Sequence, residues 1–147
     1  MFNIAFVPDM KNDLGYEFGY IMLGSSKEGF RSGLSYWSIA QYEKHWHEAV
    51  TRLVMGAESS ALITDLPLPS CANDVINWWP MWREDEIVYI HEQLLFQPAM
   101  KGGFDPSDPY RHVDPREVET DEGQRISEWT VPLQDFVDYL GANPYES

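Results

Sequence analysis

The sequence predicts an α+β fold in which one long and one short helix pack on a mostly antiparallel β-sheet. Short apolar segments bounded by glycine and proline recur along the chain, which is typical of strands. One segment, Ser38–Met55, has a clear helical periodicity, and a shorter helical pattern follows Pro132. The length of 147 residues fits a single domain spanning residues 1–147.

The first third of the chain predicts two strands and a linker. Phe2–Val7 is apolar and ends at a proline, as expected of a buried first strand. A polar, turn-rich stretch, Met10–Gly15, separates it from Tyr16–Leu23, whose loose alternation predicts a second strand. The glycine and serine residues around Gly29 and Gly33 predict a connecting segment.

The long helix is predicted together with both of its ends. Ser38–Met55 begins with a residue that can form a capping box with Gln41, and Gly56 suits a left-handed C-terminal cap. Glu48 and Arg52 form an i, i+4 pair in the favourable order. The residues expected on the buried face are Ile39, Tyr42, Trp46, Ala49, Val50, Leu53 and Val54.

A further strand and a hairpin are predicted in the middle of the chain. Ser60–Asp65 has the composition of a strand, and Val75–Trp82 and Glu86–Phe96 are the arms of a hairpin with its turn at Arg83–Asp85. Pro80 indicates an edge strand or a bulge in the first arm, because proline cannot donate a hydrogen bond to a neighbouring strand.

The last third of the chain begins with a long segment that lacks periodicity. Gln97–Gln124 is rich in proline and glycine, and loops of this length in compact domains are usually functional or disordered. Arg125–Val131 predicts a final strand. Pro132 opens a short helix that ends at Leu140, with Gly141 just beyond it. The apolar face of this helix is predicted to comprise Leu133, Phe136, Val137 and Leu140.

The strongest global feature is the charge. Ten lysines and arginines face twenty-four aspartates and glutamates, so the net charge is −14. Such a chain repels nucleic acids and anionic membranes and attracts basic proteins, whose association it accelerates. An acidic domain without such a partner would have the same composition, because net charge concerns association and not fold.

The cellular compartment is predicted from what the sequence lacks. Cys71 is the only cysteine, so an intramolecular disulfide and a multi-cysteine zinc site are both excluded. The first eight residues have no basic region of the kind found in signal peptides. No apolar run approaches the roughly 20 residues that span a bilayer. We expect a cytoplasmic protein.

Catalytic and metal-binding motifs are not recognisable. There is no G-x-S-x-G elbow and no phosphate-binding glycine loop. On a helix His45 and His47 point in different directions, so they are not expected to share a metal ion, and no cofactor is predicted. His91 or His112 could serve as a general base beside a carboxylate, which leaves a small acidic hydrolase as an alternative function.

Carboxylates in the hairpin turn and the long loop form the candidate partner-binding set. A carboxylate-rich surface of this kind offers ligands for lysine and arginine side chains, although a solvated charge run would have the same sequence pattern. The predicted cation-facing residues are Glu84, Asp85, Glu86, Asp105, Asp108, Asp114, Glu117 and Glu119.

Aromatic residues could anchor such an interface. Trp82 and Tyr110 lie among the acidic residues and are the candidate anchors. Trp78 and Trp79 point to opposite faces of their strand, so one of them should lie on a wetter face unless helices cover both.

Most of the chain carries a resemblance to a known family. Leu34–Thr64 opens with Leu-Ser-Tyr-Trp-Ser and closes with Ser-Ala-Leu-Ile-Thr, and it is followed by Trp79–Arg83, Gln93–Phe96 and Gly123–Trp129. In these segments the sequence resembles the immunity proteins of bacterial contact-dependent growth inhibition (CDI) systems. The matching positions belong to the fold and its turns and do not form a catalytic signature.

The resemblance implies a cytoplasmic inhibitor without enzymatic activity. Its partner would be the C-terminal toxin domain of its own system's large exported protein. CDI toxins are often nucleases, and a nuclease needs a basic cleft for its polyanionic substrate. An acidic inhibitor could occlude that cleft, which would account for the charge. Besides the hydrolase, an acidic adaptor that binds another basic protein remains an alternative.

Overall fold

A computed structural model describes residues 1–7, 15–68, 75–97 and 103–144, and it confirms the α+β class. Of the predicted turn at Met10–Gly15, only Gly15 is among these residues. Cys71 lies outside them. In chain order the elements are β1 (Phe2–Phe6), β2 (Tyr16–Leu23), β3 (Ser26–Gly33), α1 (Ile39–Val54), β4 (Ser59–Asp65), β5 (Val75–Glu84), β6 (Ile87–Ile90), β7 (Gln93–Phe96), a 3₁₀ helix (Pro109–His112), β8 (Trp129–Pro132) and α2 (Leu133–Ala142).

The strands form two antiparallel sheets and not the single sheet predicted. One sheet has the order β1-β2-β3. The other has the order β4-β5-β6-β8, and β7 also pairs with β5. Helix α1 packs on β4, and α2 packs on α1 and β1, so the two sheets share one hydrophobic core.

Hydrogen bonds from a few side chains join the two sheets. The Ser32 hydroxyl in β3 donates to the Thr64 carbonyl in β4. The Tyr42 hydroxyl on α1 donates to the Gly33 carbonyl at 2.7 Å and accepts from the Leu66 amide at 3.0 Å. Burial raises the pKa of Tyr42 well above its usual range, so the phenol keeps its proton and both bonds.

The prediction of a connecting segment around Gly29 and Gly33 was wrong, because these residues belong to β3. The large side chain that usually fills such a position in a strand is supplied by the opposite strand, where Tyr20 pairs with Gly29. In the reverse arrangement Phe30 pairs with Gly19, and its ring fills the space that a side chain at Gly19 would take. The glycines therefore mark cross-strand packing.

Helix α1 has the predicted ends. Ser38 caps it in a capping box with Gln41, and Gly56 has a φ of +113° just after the end. The buried face contacts β4 through polar groups as well as apolar ones. The Trp46 indole donates to the Ile63 carbonyl at 2.8 Å, and the Ser60 hydroxyl donates to a carbonyl of the helix at 2.8 Å.

Strand β5 is central, so the edge position predicted from Pro80 was wrong. Pro80 pairs with Ala61 of β4 in unbroken register. On the other side its carbonyl accepts from the His91 amide at 3.0 Å, where β6 has ended and β7 has not yet begun. The ladder is therefore interrupted in the facing strand, next to the residue that cannot donate.

The predicted hairpin forms, but its turn comprises Asp85 and Glu86, whereas Arg83 and Glu84 of the predicted turn still belong to β5. Its second arm is divided into β6 and β7 by His91 and Glu92. Val88 and Ile90, which lie on the same face of β6, are both fully buried.

Both faces of β5 are covered, since Trp78 and Trp79 are each 0% exposed. Trp79 lies against Trp129 of β8, with 5.4 Å between ring centroids. Trp78 lies edge-on to Phe104 at 5.9 Å. Neither tryptophan therefore lies on a wetter face, although the cover over Trp78 is a segment without regular structure and not a helix.

The C-terminal elements are shifted relative to the prediction. Strand β8 begins at Trp129, and α2 includes Gly141 and ends at Ala142. Val137 is 40% exposed, whereas Tyr139 is buried and packs edge-on against Phe2 at 5.2 Å. The helix continues past Gly141 because Asn143, through its backbone and side-chain nitrogens, caps the Tyr139 carbonyl.

The contact between Gly19 and Phe30 can be tested with one methyl group. A Cβ at Gly19 would lie 2.5 Å from the Phe30 ring and 2.7 Å from the Ala5 carbonyl oxygen. We expect Gly19→Ala to lower the free energy of unfolding by about 1–3 kcal/mol in urea denaturation. Gly29→Ala is the matched control, because its nearest neighbour lies at 3.9 Å, and it should stay near wild type. Equal stability of both variants would contradict this packing.

Candidate partner-binding surface

The hairpin turn displays the first group of predicted carboxylates. Glu84, Asp85 and Glu86 are exposed. Asp85 has a φ of +53°, and its carbonyl accepts from Arg83 Nε at 2.9 Å. Arg83 also donates to the Leu53 carbonyl near the end of α1 at 2.6 Å, which ties the base of the turn to the helix.

The start of the loop that follows β7 has its own polar network. The Asp105 carboxylate accepts from the hydroxyl and the amide of Ser107, and these bonds, more than the neighbouring Arg111, lower its pKa. His112 Nε2 accepts from the Asp105 amide at 3.0 Å while its ring stacks on Phe104 at 4.9 Å. Burial lowers the pKa of His112, which favours the neutral acceptor form.

Tyr110, a predicted anchor, is partly exposed and packs against side chains of α1. Arg52, predicted to pair with Glu48, places its guanidinium carbon 4.0 Å from the centroid of the Tyr110 ring. The other neighbour is His45, whose ring is stacked at 6.2 Å. Burial raises the pKa of Tyr110 to about 12. Asp108 lies nearby and is exposed.

His45 has a structural role that the sequence did not suggest. It is 5% exposed, and its Nε2 accepts from the Ile63 amide of β4 at 2.8 Å. Burial lowers its pKa to about 3. The imidazole is therefore a neutral acceptor that pairs a buried amide between α1 and β4.

Trp82, the second predicted anchor, lies at the wall of a shallow groove. Its indole donates to the Asp114 carbonyl at 2.9 Å, and its ring lies edge-on to His91 at 4.6 Å. The carboxylates that line the same groove belong to Glu92, Asp114 and Glu117. The groove thus combines a partly exposed indole with three acidic residues.

A network centred on Glu128 holds the segment that follows the groove. Arg116 donates to both carboxylate oxygens at 2.7 Å, through Nε and one terminal nitrogen. His91 Nε2 lies 2.8 Å from one of these oxygens. Since an ionised carboxylate only accepts, Nε2 carries the hydrogen. The hydrogen bonds from Arg116 contribute most to lowering the pKa of Glu128.

The hydrolase alternative required a histidine beside a carboxylate. A histidine and a carboxylate do meet, at His91 and Glu128. The carboxylate also binds Arg116 in a bidentate manner, which lowers its pKa, so Glu128 is not suited to act as a general acid. Within residues 1–7, 15–68, 75–97 and 103–144, no three His, Cys, Asp or Glu side chains are grouped to hold a metal ion.

The predicted residues fall into two groups by their neighbours. Asp105, Asp108 and Tyr110 lie beside α1, around the 3₁₀ helix. The others lie at the end of β5 and in the adjoining turn, or in residues 114–122. We call residues 114–122 the acidic segment. These other residues are Trp82, Glu84, Asp85, Glu86, Asp114, Glu117 and Glu119. The acidic segment also contains Asp121 and Glu122, and a bridge between Glu119 and Arg125 closes it.

Comparisons with known proteins identify the family. The family model described as the CdiI N-terminal domain matches residues 32–139. The chain belongs to the CdiI immunity protein family. It is 27% identical over 119 residues, or 81% of each chain, to a protein from Enterobacter cloacae subsp. cloacae named Immunity protein CdiI.

A solved structure supports the same assignment. A chain of the CdiA-CT/CdiI toxin and immunity complex from Enterobacter cloacae matches with a TM-score of 0.85 and 26% identity, covering 97% of both chains. The resemblance to CDI immunity proteins inferred from the sequence is therefore confirmed. In the described part of this CdiI family member, no helix is long and apolar enough to cross a membrane.

Several residues of this surface were not predicted. Glu92, Arg116 and Glu128 are central to the groove and to the network below it. Glu128 fell in a predicted strand, and nothing local links it to His91, which is 37 residues away. The bidentate pair could have been suspected only from Arg116 being one of few cations in an acidic stretch.

Buried His45 should make this CdiI family member sensitive to acid. The unfolded chain takes up a proton at His45 near pH 6.5 and the folded chain only near pH 3, so stability falls as the pH drops through this range. From about pH 7.5 to about pH 5 this single group should lower the free energy of unfolding by about 2 kcal/mol. Urea denaturation at both pH values measures the difference.

The control for this measurement is the neighbouring histidine. His45→Gln should lose most of the pH dependence because no group at that position titrates, whereas His47→Gln should retain it. If both variants kept the wild-type dependence, a neutral buried His45 would not be its source.

Proposed function

We propose that this chain neutralises the C-terminal toxin domain of a CDI system by binding it. The observation that carries the proposal is the match over 97% of both chains with a member of a toxin and immunity complex. Membership of the CdiI family and the protein from E. cloacae named Immunity protein CdiI support it. Inhibition by binding requires no turnover, so we propose that the chain is not an enzyme.

We further propose that the partner is a basic domain, a nuclease, whose active-site cleft the acidic surface occludes in the cytoplasm. A cleft that holds RNA or DNA must be positively charged. The net charge of −14 would accelerate encounter with such a cleft. The exposed carboxylates Glu84, Asp85, Glu86, Asp108, Asp114, Glu117 and Glu119, the half-buried Asp105, and the partly exposed rings of Trp82 and Tyr110 are the proposed contacts.

The two groups of carboxylates are not equally suited to this role. Asp105 is engaged by Ser107 and lies 3.8 Å from Arg111, while Tyr110 is covered by Arg52. At the groove, Glu92, Asp114 and Glu117 surround part of the Trp82 ring. Indole beside carboxylate suits a guanidinium or ammonium group, so we propose the acidic segment and the hairpin turn as the main contact region.

The direct test uses the toxin domain of the CDI system to which we propose that this chain belongs. The C-terminal domain of the large exported protein should co-purify with this chain, and expression of the chain should protect cells from that domain. A toxin domain from an unrelated CDI system is the control and should neither bind nor be neutralised. Binding without protection would contradict neutralisation, and failure of both would contradict the proposed function.

Charge reversal tests which surface binds. Asp114→Lys with Glu117→Lys should lower the association rate about tenfold at low salt and make it less sensitive to salt, because these residues steer a basic partner. Stopped-flow mixing at several salt concentrations gives both quantities. The control, Glu43→Lys with Asp138→Lys, makes the same charge change at exposed residues of the two helices. Equal slowing in both variants would mean that net charge, and not this surface, steers association.

A further inference from the structure

The acidic segment is held in place by hydrogen bonds to the sheet and within the turn that it forms. At its start, the Asp114 carbonyl accepts from the Trp82 indole. At its end, the segment turns back on itself, since the Ile126 amide donates to the Val118 carbonyl at 2.9 Å and the Thr120 amide to the Gln124 carbonyl at 2.7 Å. These bonds define a hairpin-like turn that is rich in carboxylates and carries no large buried side chain of its own.

An ion pair joins the two arms of this turn to each other and to the sheet below. Arg116, in the first arm, binds both oxygens of Glu128, in the second arm, at 2.7 Å. Its guanidinium carbon also lies 3.8 Å from the centroid of Tyr89, which pairs with Trp82 across β5 and β6. His91 reaches the same carboxylate from the gap between β6 and β7. The side chains of His91 and Glu128 are 8% and 18% exposed.

The arrangement is unusual for a surface of like charge. Neighbouring carboxylates repel one another, so an unanchored acidic turn would sample many extended conformations. The charges of Arg116 and Glu128 cancel, so the pair closes the turn without changing the net charge of the surface. Such a bidentate pair fixes geometry as well as adding energy.

We propose that Arg116 and Glu128 are positioning residues that hold the acidic segment in its binding conformation before the toxin domain arrives. This inference rests on the proposed function and assigns association and dissociation to different residues. The exposed carboxylates set the rate of association. The half-buried pair sets the rate of dissociation, because a surface that is already ordered loses less conformational entropy on binding.

Conservative variants separate positioning from charge. Arg116→Gln makes the chain more negative, and Glu128→Gln makes it less negative, so net charge alone would move the two variants in opposite directions. Positioning predicts the same change in both, a dissociation rate about tenfold faster than that of wild type. Arg111→Gln is the matched control, since it removes a loop arginine whose nearest carboxylate is 3.8 Å away. It should dissociate like wild type.

Hydrogen exchange in the unbound protein gives a readout that does not depend on the partner. The amides of Thr120 and Ile126 should exchange about tenfold faster in Arg116→Gln and Glu128→Gln than in wild type and Arg111→Gln. Amides of α1 should be unaffected, which distinguishes local opening from a general loss of stability. If Glu128→Gln fails to fold, Arg116→Gln decides the question, because its side chain is only partly buried.

The outcomes distinguish the two proposals. Wild-type exchange and wild-type dissociation in Arg116→Gln would overturn the positioning role while leaving the immunity function intact. If wild type itself did not bind the toxin domain, the proposed function would fail, and the exchange rates alone would still decide whether the pair orders the segment. Faster exchange with unchanged dissociation would overturn the inference, because the ordered conformation would then not matter for the complex.

Discussion

The burial of β5 on both faces is the constraint around which the other elements are arranged. The strand pairs with β4 on one side and with β6 and β7 on the other, and Trp78 and Trp79 are fully buried on opposite faces. One face is turned toward the helices. The other has Trp78, Trp82 and, across the ladder, Tyr89, and each of these rings is met by the segment after β7. A helix is the usual cover for such a face, but here an acidic loop provides it.

The loop that covers this face of the sheet links the fold to the proposed function. A loop that must seal a sheet cannot be free to move, because opening it would expose indole rings to water. The same loop carries most of the candidate carboxylates on its outer side. Its inner side is therefore fixed by the hydrophobic effect and by the Arg116–Glu128 pair, while its outer side remains available for charge. An acidic surface is obtained without the flexibility that acidic sequences usually have.

Local signals predicted the parts of the structure that depend on neighbouring residues. The capping box of Ser38 and the spacing of apolar residues located α1 almost to the residue. Strand β3 was missed because the bulk that stabilises it comes from β2, as Gly29 opposite Tyr20 illustrates. The central position of Pro80 was missed for a similar reason, since the ladder break that accommodates it lies in the facing strand. The acidic residues were found by composition, but the network around Glu128 joins residues 12 and 37 positions apart and has no local signature.

The separation of steering from positioning has a physical basis in how the two effects depend on distance and salt. Attraction between a chain of net charge −14 and a basic domain acts over about a Debye length, roughly 8 Å at physiological salt, and changes little when a charged side chain shifts slightly within its own surface. Once the surfaces meet, water is excluded and the outcome depends on whether each carboxylate already points at its cation. In the proposed complex, small shifts of the exposed acids would therefore cost little encounter rate, whereas replacing Arg116 or Glu128 is predicted to loosen the contact surface. For this chain, the proposed partner choice would thus depend on loop geometry, while the net charge of −14 accelerates association.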